Sequence, residues 1–178
     1  MWSPVRRPGF EHCRIDGRSA DGIVIGIRER QPFRVRYAIE WDDAWRTRAA
    51  RVDLLDEGKS LVLVADGGGR WRTADGKPVA ALDGCIDVDV SITPFTNTLP
   101  VRRLRLAPLE RAELKLTYIE VPALRVGVAT QRYTCLVRRA DGTMHRFESG
   151  TFKADIVLDA DGLVVEYPHL FTRLWPRS

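Results

Sequence analysis

Apolar and polar residues alternate with a period of two along most of this chain. Val35, Tyr37, Ile39 and Trp41 fall on one face of a segment whose other face carries Arg34, Arg36 and Glu40. Leu114, Leu116 and Tyr118 oppose Glu113, Lys115 and Thr117, and Phe152, Ala154, Ile156 and Leu158 oppose Lys153 and Asp155. Successive strand side chains point to opposite faces, so each pattern predicts a half-buried β-strand. Leu61 to Val64 is continuously apolar, which predicts a strand covered on both faces. Asp-Gly pairs at 16–17, 21–22, 66–67, 75–76, 83–84, 141–142 and 161–162 separate these segments. Asp-Gly suits the positive φ of a tight hairpin turn, so the pattern predicts an all-β domain of antiparallel meanders.

Helical signals are weak. Ala44 to Leu55 admits a short helix through Trp45, Ala49, Val52 and Leu55. A strand entered through a tight Asp42-Asp43 turn fits it better. Short helical turns fit Leu99 to Glu113, which contains Pro100 and Pro108, and Tyr167 to Trp175. Gly67-Gly68-Gly69 precedes Arg70-Trp71-Arg72 and another Asp-Gly turn, so it reads as a hairpin tip and not as a phosphate cradle opening a helix. Two echoes run through the chain. Tyr37 to Glu40 resembles Thr117 to Glu120, and Cys85 to Val90 resembles Lys153 to Leu158. Two meanders from one ancestral half would produce them, and so would chance between alternating strands.

The 178 residues suit a single domain over 1–178, and the 44% apolar content is that of a globular protein. No apolar run is long enough to span a bilayer as a helix. Met1 to Phe10 lacks the apolar core of a secretory signal, which sets a cytoplasmic expectation. Three cysteines, Cys13, Cys85 and Cys135, are widely spaced, and His12, His145 and His169 are scattered, so neither a metal site nor a cofactor motif is expected. The net charge of +4 is spread among interleaved acids and arginines, without the basic block expected of a nucleic-acid surface.

Asp87 and Asp89 lie two apart on a predicted strand, so both carboxylates project from one face. A carboxylate pair is equipment for acid–base chemistry. The segment after the following loop carries Arg103 and Arg105 opposite Leu104 and Leu106, and a strand there would set the arginines against the aspartates in a structural ladder. No Gly-x-Ser-x-Gly elbow or His-Glu-x-x-His helix occurs, and no catalytic residue is assigned. The aromatics Trp41, Trp45, Trp71, Tyr37, Phe95, Tyr118 and Tyr133 combine flat apolar faces with polar edges, which suits sugars and lipid head groups as well as core packing.

Several segments together resemble a known family. Gly84-Cys85-Ile86-Asp87-Val88-Asp89, then Thr93-Pro94-Phe95-Thr96-Asn97-Thr98-Leu99-Pro100, then Arg102-Arg103-Leu104 are similar to the signature of the bacterial glycolipid-binding proteins. Glu11-His12, Tyr37 with Asp42, Gly69 with Trp71, Gln131 with Tyr133, and Gly162-Leu163-Val164 before Tyr167-Pro168 agree with it. The resemblance implies a spiral β-roll, a long curled antiparallel sheet with an apolar interior. It also implies a glycolipid or other amphipathic small molecule as the partner. Trp41, Trp71, Phe95, Asn97, Arg102, Arg103, Tyr118 and Tyr133 are the candidate ligand-binding residues, with Arg102 or Arg103 at the mouth meeting an anionic head group. Phe95 and Leu99 are expected to plug the roll, or the Thr93–Pro100 loop to rim a pocket. The rival readings are an enzyme on lipids or sugars using Asp87 and Asp89, and a module that recruits another protein strand to a sheet edge.

Overall fold

The computed structural model describes residues 1–28 and 30–176. The first half of the chain forms strands β1 (Trp2–Pro4), β2 (Gly9–Asp16), β3 (Ser19–Arg28), β4 (Gln31–Trp41), β5 (Thr47–Leu54), β6 (Lys59–Ala65) and β7 (Trp71–Thr73). After β8 (Asp87–Val90) comes a short helix, α1 (Thr98–Leu104). The remaining strands are β9 (Arg111–Glu120), β10 (Arg125–Arg139), β11 (Gly142–Ser149), β12 (Phe152–Asp159), β13 (Val164–Tyr167) and β14 (Phe171–Arg173).

All strands belong to one curled sheet, in the order β7-β6-β5-β4-β3-β2-β1-β14-β13-β12-β11-β10-β9-β8. Two meanders therefore meet where the chain ends meet. β1 pairs antiparallel with β14, Trp2 opposite Arg173. The Trp2 indole N–H donates to the Val164 carbonyl at 2.7 Å and ties β1 to β13. The pairing is antiparallel throughout except between β8 and β9, where Asp89 lies beside Tyr118.

Inward positions follow the sequence alternation. Val35, Tyr37, Ile39 and Trp41 of β4 are buried, as are Ala154, Ile156 and Leu158 of β12. One buried cluster fills the first meander, and a second, with Tyr133, Phe147 and Tyr167, fills the other. Between the two ends of the sheet the chain crosses the roll. Ile92 to Val101 is buried without interruption. Phe95 and Leu99 are both fully buried, as a plug requires. Burying a side chain such as Phe95 is worth roughly 1.5–3 kcal/mol.

Several local expectations are corrected. The segment with Arg103 is helix α1 and not a strand, since Thr98 and Val101 share a buried face at helical spacing. Pro100 is accommodated in its first turn. Arg102 and Arg103 occupy its last turn, where a cation is favoured by the terminal carbonyls. β6 is covered on one face only, with Leu63 2% and Val64 46% exposed. Six of the seven Asp-Gly pairs lie at or beside turns, but Asp21-Gly22 lies inside β3. A Cβ on Gly22 would stand 2.4 Å from the Tyr37 ring, so glycine there makes room for an aromatic neighbour. Ala44 to Leu55 enters β5 through the turn at Asp42-Asp43, where the Asp42 carboxylate accepts from the Ala44 and Arg46 amides at 3.0 Å. The echoing segments fall in β4 and β9, and around β8 and in β12.

Candidate functional site

The site is built where the buried crossing segment meets both meanders. On the first side Thr93 reaches Glu11 of β2 and Tyr37 of β4. The Tyr37 hydroxyl donates to Glu11 Oε1 at 2.5 Å and the Thr93 hydroxyl donates to the same oxygen at 2.6 Å. The Phe95 amide closes the turn onto Thr93 Oγ1 at 3.0 Å. Glu11 is 2% exposed, and burial pushes its carboxyl up to about 7 despite the two hydroxyl donors.

On the second side Asn97 reaches β10. Its Nδ2 donates to the Tyr133 hydroxyl at 2.8 Å, and that hydroxyl donates on to Gln131 Oε1 at 3.3 Å. Gln131 and Tyr133 share a face because they lie two apart on one strand. Gln131 Nε2 then donates to Asp89 Oδ2 at 2.7 Å, while the Thr96 hydroxyl donates to Asp89 Oδ1 at 2.9 Å. Asp89 is half-buried, and desolvation holds its carboxyl above the usual range. Its neighbour Asp87 is fully buried and held by the Arg103 guanidinium, Nη2 to Oδ2 at 2.6 Å.

Asp89, Ser91, Thr93, Asn97 and Gln131 line a cavity of about 310 Å³. Phe147, Phe152, Tyr167, Leu170 and Phe171 line the same cavity. These rings pack edge-on or tilted, Phe147 to Tyr167 at 5.8 Å and Phe152 to Tyr167 at 6.1 Å. The cavity continues into a cleft of about 680 Å³, sharing Ser91, Tyr118, Phe152, Leu170 and Phe171 with it. Val24, Phe33 and Ile92 give the cleft apolar lining, and Arg6, Arg7 and Lys153 supply cations. Both volumes fall within the range of small-molecule sites.

The structure distributes the eight candidate residues unevenly. Asn97 and Tyr118 line the cavity, and Tyr133 stands one hydrogen bond behind it. Trp41 is buried, stacked on Trp45 at 5.2 Å and tilted against Phe95 at 5.6 Å. Trp71 is buried with its indole N–H donating to the Cys85 carbonyl at 2.7 Å. Arg102 lies 4.7 Å over the Trp45 ring, and Arg103 is engaged with Asp87, so neither belongs to the lining of the cavity or its cleft. The cations lining the cleft come from the β1–β2 loop, from β12 and from Arg28 at the end of β3, which is paired with Glu120. Sequence reasoning passed over Gln131 and Glu11 as site residues, although both stood in the segments carrying the resemblance. Tyr167 too stood in a segment carrying the resemblance, whereas Phe147, Phe152 and Phe171 gave no signal beyond alternation. Among the described residues no cluster of His, Cys, Asp and Glu could hold a metal ion, and no helix is long and apolar enough to cross a membrane.

The curled sheet and the cavity it lines with polar and aromatic groups define a β-roll. The chain belongs to the family described as Putative glycolipid-binding, whose model matches residues 1–173. It is also similar to a crystallised DUF1089 family protein from Pseudomonas aeruginosa, with 38% identity, a TM-score of 0.85 and 98% of each chain covered. No curated protein is significantly similar to the chain.

Proposed function

We propose that this protein binds a glycolipid or a related amphipathic molecule, with the hydroxylated head in the Asp89 cavity and the acyl chain along the adjoining cleft. The observation that carries this reading is the mixed lining of the cavity. Planar carboxylate and amide groups share it with aromatic rings. A sugar ring has the matching character, with hydroxyls at its edge and an apolar face that packs on aromatics. The cleft supplies the apolar length a tail requires, and Arg6, Arg7 and Lys153 suit a phosphate or sulfate near the entrance. The family description agrees with this reading.

The test is a calorimetric titration with alkyl β-glucosides of increasing chain length, at low and high salt. Each buried methylene is worth about 0.8 kcal/mol. Affinity is expected to rise severalfold per carbon until the cleft is full, and to persist in salt because apolar burial is not screened. An affinity that ignores chain length, or is abolished by salt, contradicts the reading.

A further inference from the structure

We infer that the Asp89 cavity selects a head group bearing a protonated amine, a cation held by the carboxylate among the aromatic rings that line the same cavity. This rests on the binding reading above and narrows the ligand's chemical class. Three observations carry it.

The first is the state of Asp89. Both of its oxygens accept from neutral donors, the Thr96 hydroxyl and the Gln131 amide, and among the described residues it has no Lys, Arg or His within ion-pair distance. Asp87, two residues away on the same strand, has its charge matched by Arg103. A carboxylate withdrawn from water is normally paired with a cation. Asp89 differs from Glu11, which also lacks an ion-pair partner but is sealed among protein groups. Asp89 faces a cavity that a ligand can enter.

The second is the aromatic part of the lining. Phe147, Phe152, Tyr167 and Phe171 line the same cavity as Asp89, and an aromatic ring attracts a cation to its face. An anionic head would meet the carboxylate and these faces with repulsion. A neutral sugar would satisfy hydrogen bonds but leave the charge unmatched.

The third is the acceptor capacity of Asp89. Its two bonds come from the Thr96 hydroxyl and one Gln131 N–H. The carboxylate keeps acceptor capacity beyond its two bonds, since an ionised carboxylate accepts up to about four. A complementary ligand therefore brings donors. An ammonium brings three and the missing charge with them. An amino sugar and a simple alkyl amine share this chemistry.

The experiment is calorimetric titration of the full chain with three probes, each below its micelle-forming concentration: octyl β-glucoside, octyl 2-amino-2-deoxy-β-glucoside and n-octylamine. The amino glycoside is expected to bind at least tenfold more tightly than the glucoside. In Asp89→Asn that preference is expected to shrink to about onefold. Octylamine binding as tightly as the amino glycoside assigns the recognition to the amine alone, and weaker binding assigns it to the amine together with the sugar; the inference holds in either case. Equal affinity for the two glycosides in the unaltered protein overturns the amine inference and leaves the cavity reading standing. A preference that survives Asp89→Asn overturns it as well. Failure of all three probes to bind overturns the cavity reading itself. The comparison in the unaltered protein does not depend on the variant folding.

Discussion

The guanidinium of Arg103 grips both oxygens of Asp87, Nε to Oδ1 at 3.1 Å and Nη2 to Oδ2 at 2.6 Å. It joins helix α1 to strand β8 through a carboxylate with no exposure to water. Removing one partner of such a pair leaves a buried charge unmatched, at a cost of about 3–5 kcal/mol. Arg103→Ala is therefore expected to lower the unfolding free energy by that order in urea titration. A loss under about 1 kcal/mol would mean that the pair is incidental to the fold.

Gly22 sits opposite Tyr37 in the β3–β4 register. A methyl there would overlap the Tyr37 ring and push its hydroxyl away from Glu11. Gly22→Ala is expected to cost about 1–3 kcal/mol through overpacking. Thermal unfolding measures it, and an unchanged midpoint would show that the ring relaxes freely.

Glu11 makes the stability depend on pH. Its native pKa of about 7 lies above the ordinary 4.5, because burial disfavours the charged form. The native carboxyl thus holds its proton where the unfolded one has lost it. Its contribution is fully present below pH 4.5 and is lost as pH rises to about 7, a change of about 3 kcal/mol. Glu11→Gln is expected to remove this contribution, so that stability rises more steeply with pH in the variant than in the unaltered protein when denaturant unfolding is followed across pH 4.5–7. Identical slopes for the variant and the unaltered protein would contradict the assignment.

His145 acts in the opposite direction. It is fully buried on β11, neither ring nitrogen has a hydrogen-bond partner among the described residues, and burial, aided by nearby Arg138, brings its pKa down to about 4 from 6.5. The unfolded ring takes a proton between pH 6.5 and 4 that the native ring refuses, so stability drops by about 3 kcal/mol as pH falls through that window. His145→Leu is expected to abolish the drop and to leave neutral-pH stability unchanged or higher, since it deletes unsatisfied polar atoms. The windows of Glu11 and His145 overlap with opposite signs, so the unaltered protein has a flatter pH profile than either variant. A steeper one would refute both roles.

The strands were legible because alternation is a local property: Val35 to Trp41 states its buried face within seven residues. Helix α1 was less so. Between Thr98 and Leu104 the chain is too short to separate a period of two from 3.6, and Arg103 was matched to the aspartates but placed on the wrong scaffold. The cavity was the least legible part. Its polar lining draws Asp89 from β8, Asn97 from the crossing segment and Gln131 from β10, and its aromatic lining draws on β11 to β14. No local spacing records that convergence, which exists only once the sheet has curled. Trp41 and Trp71 were conspicuous for their size, and their size is what makes them core residues.

The proposed function requires that an amphipathic molecule enter the cavity. Ala129 lines it from β10, and Ala129→Trp places an indole in the space the head group would occupy. The most direct measurement is a calorimetric titration with dodecyl β-glucoside, below its micelle-forming concentration, of the unaltered protein and of this variant, with circular dichroism confirming that both keep the β-fold. Saturable binding to the unaltered protein and at least a tenfold loss in the variant are expected. Equal binding to both would place the ligand elsewhere and overturn the proposed function.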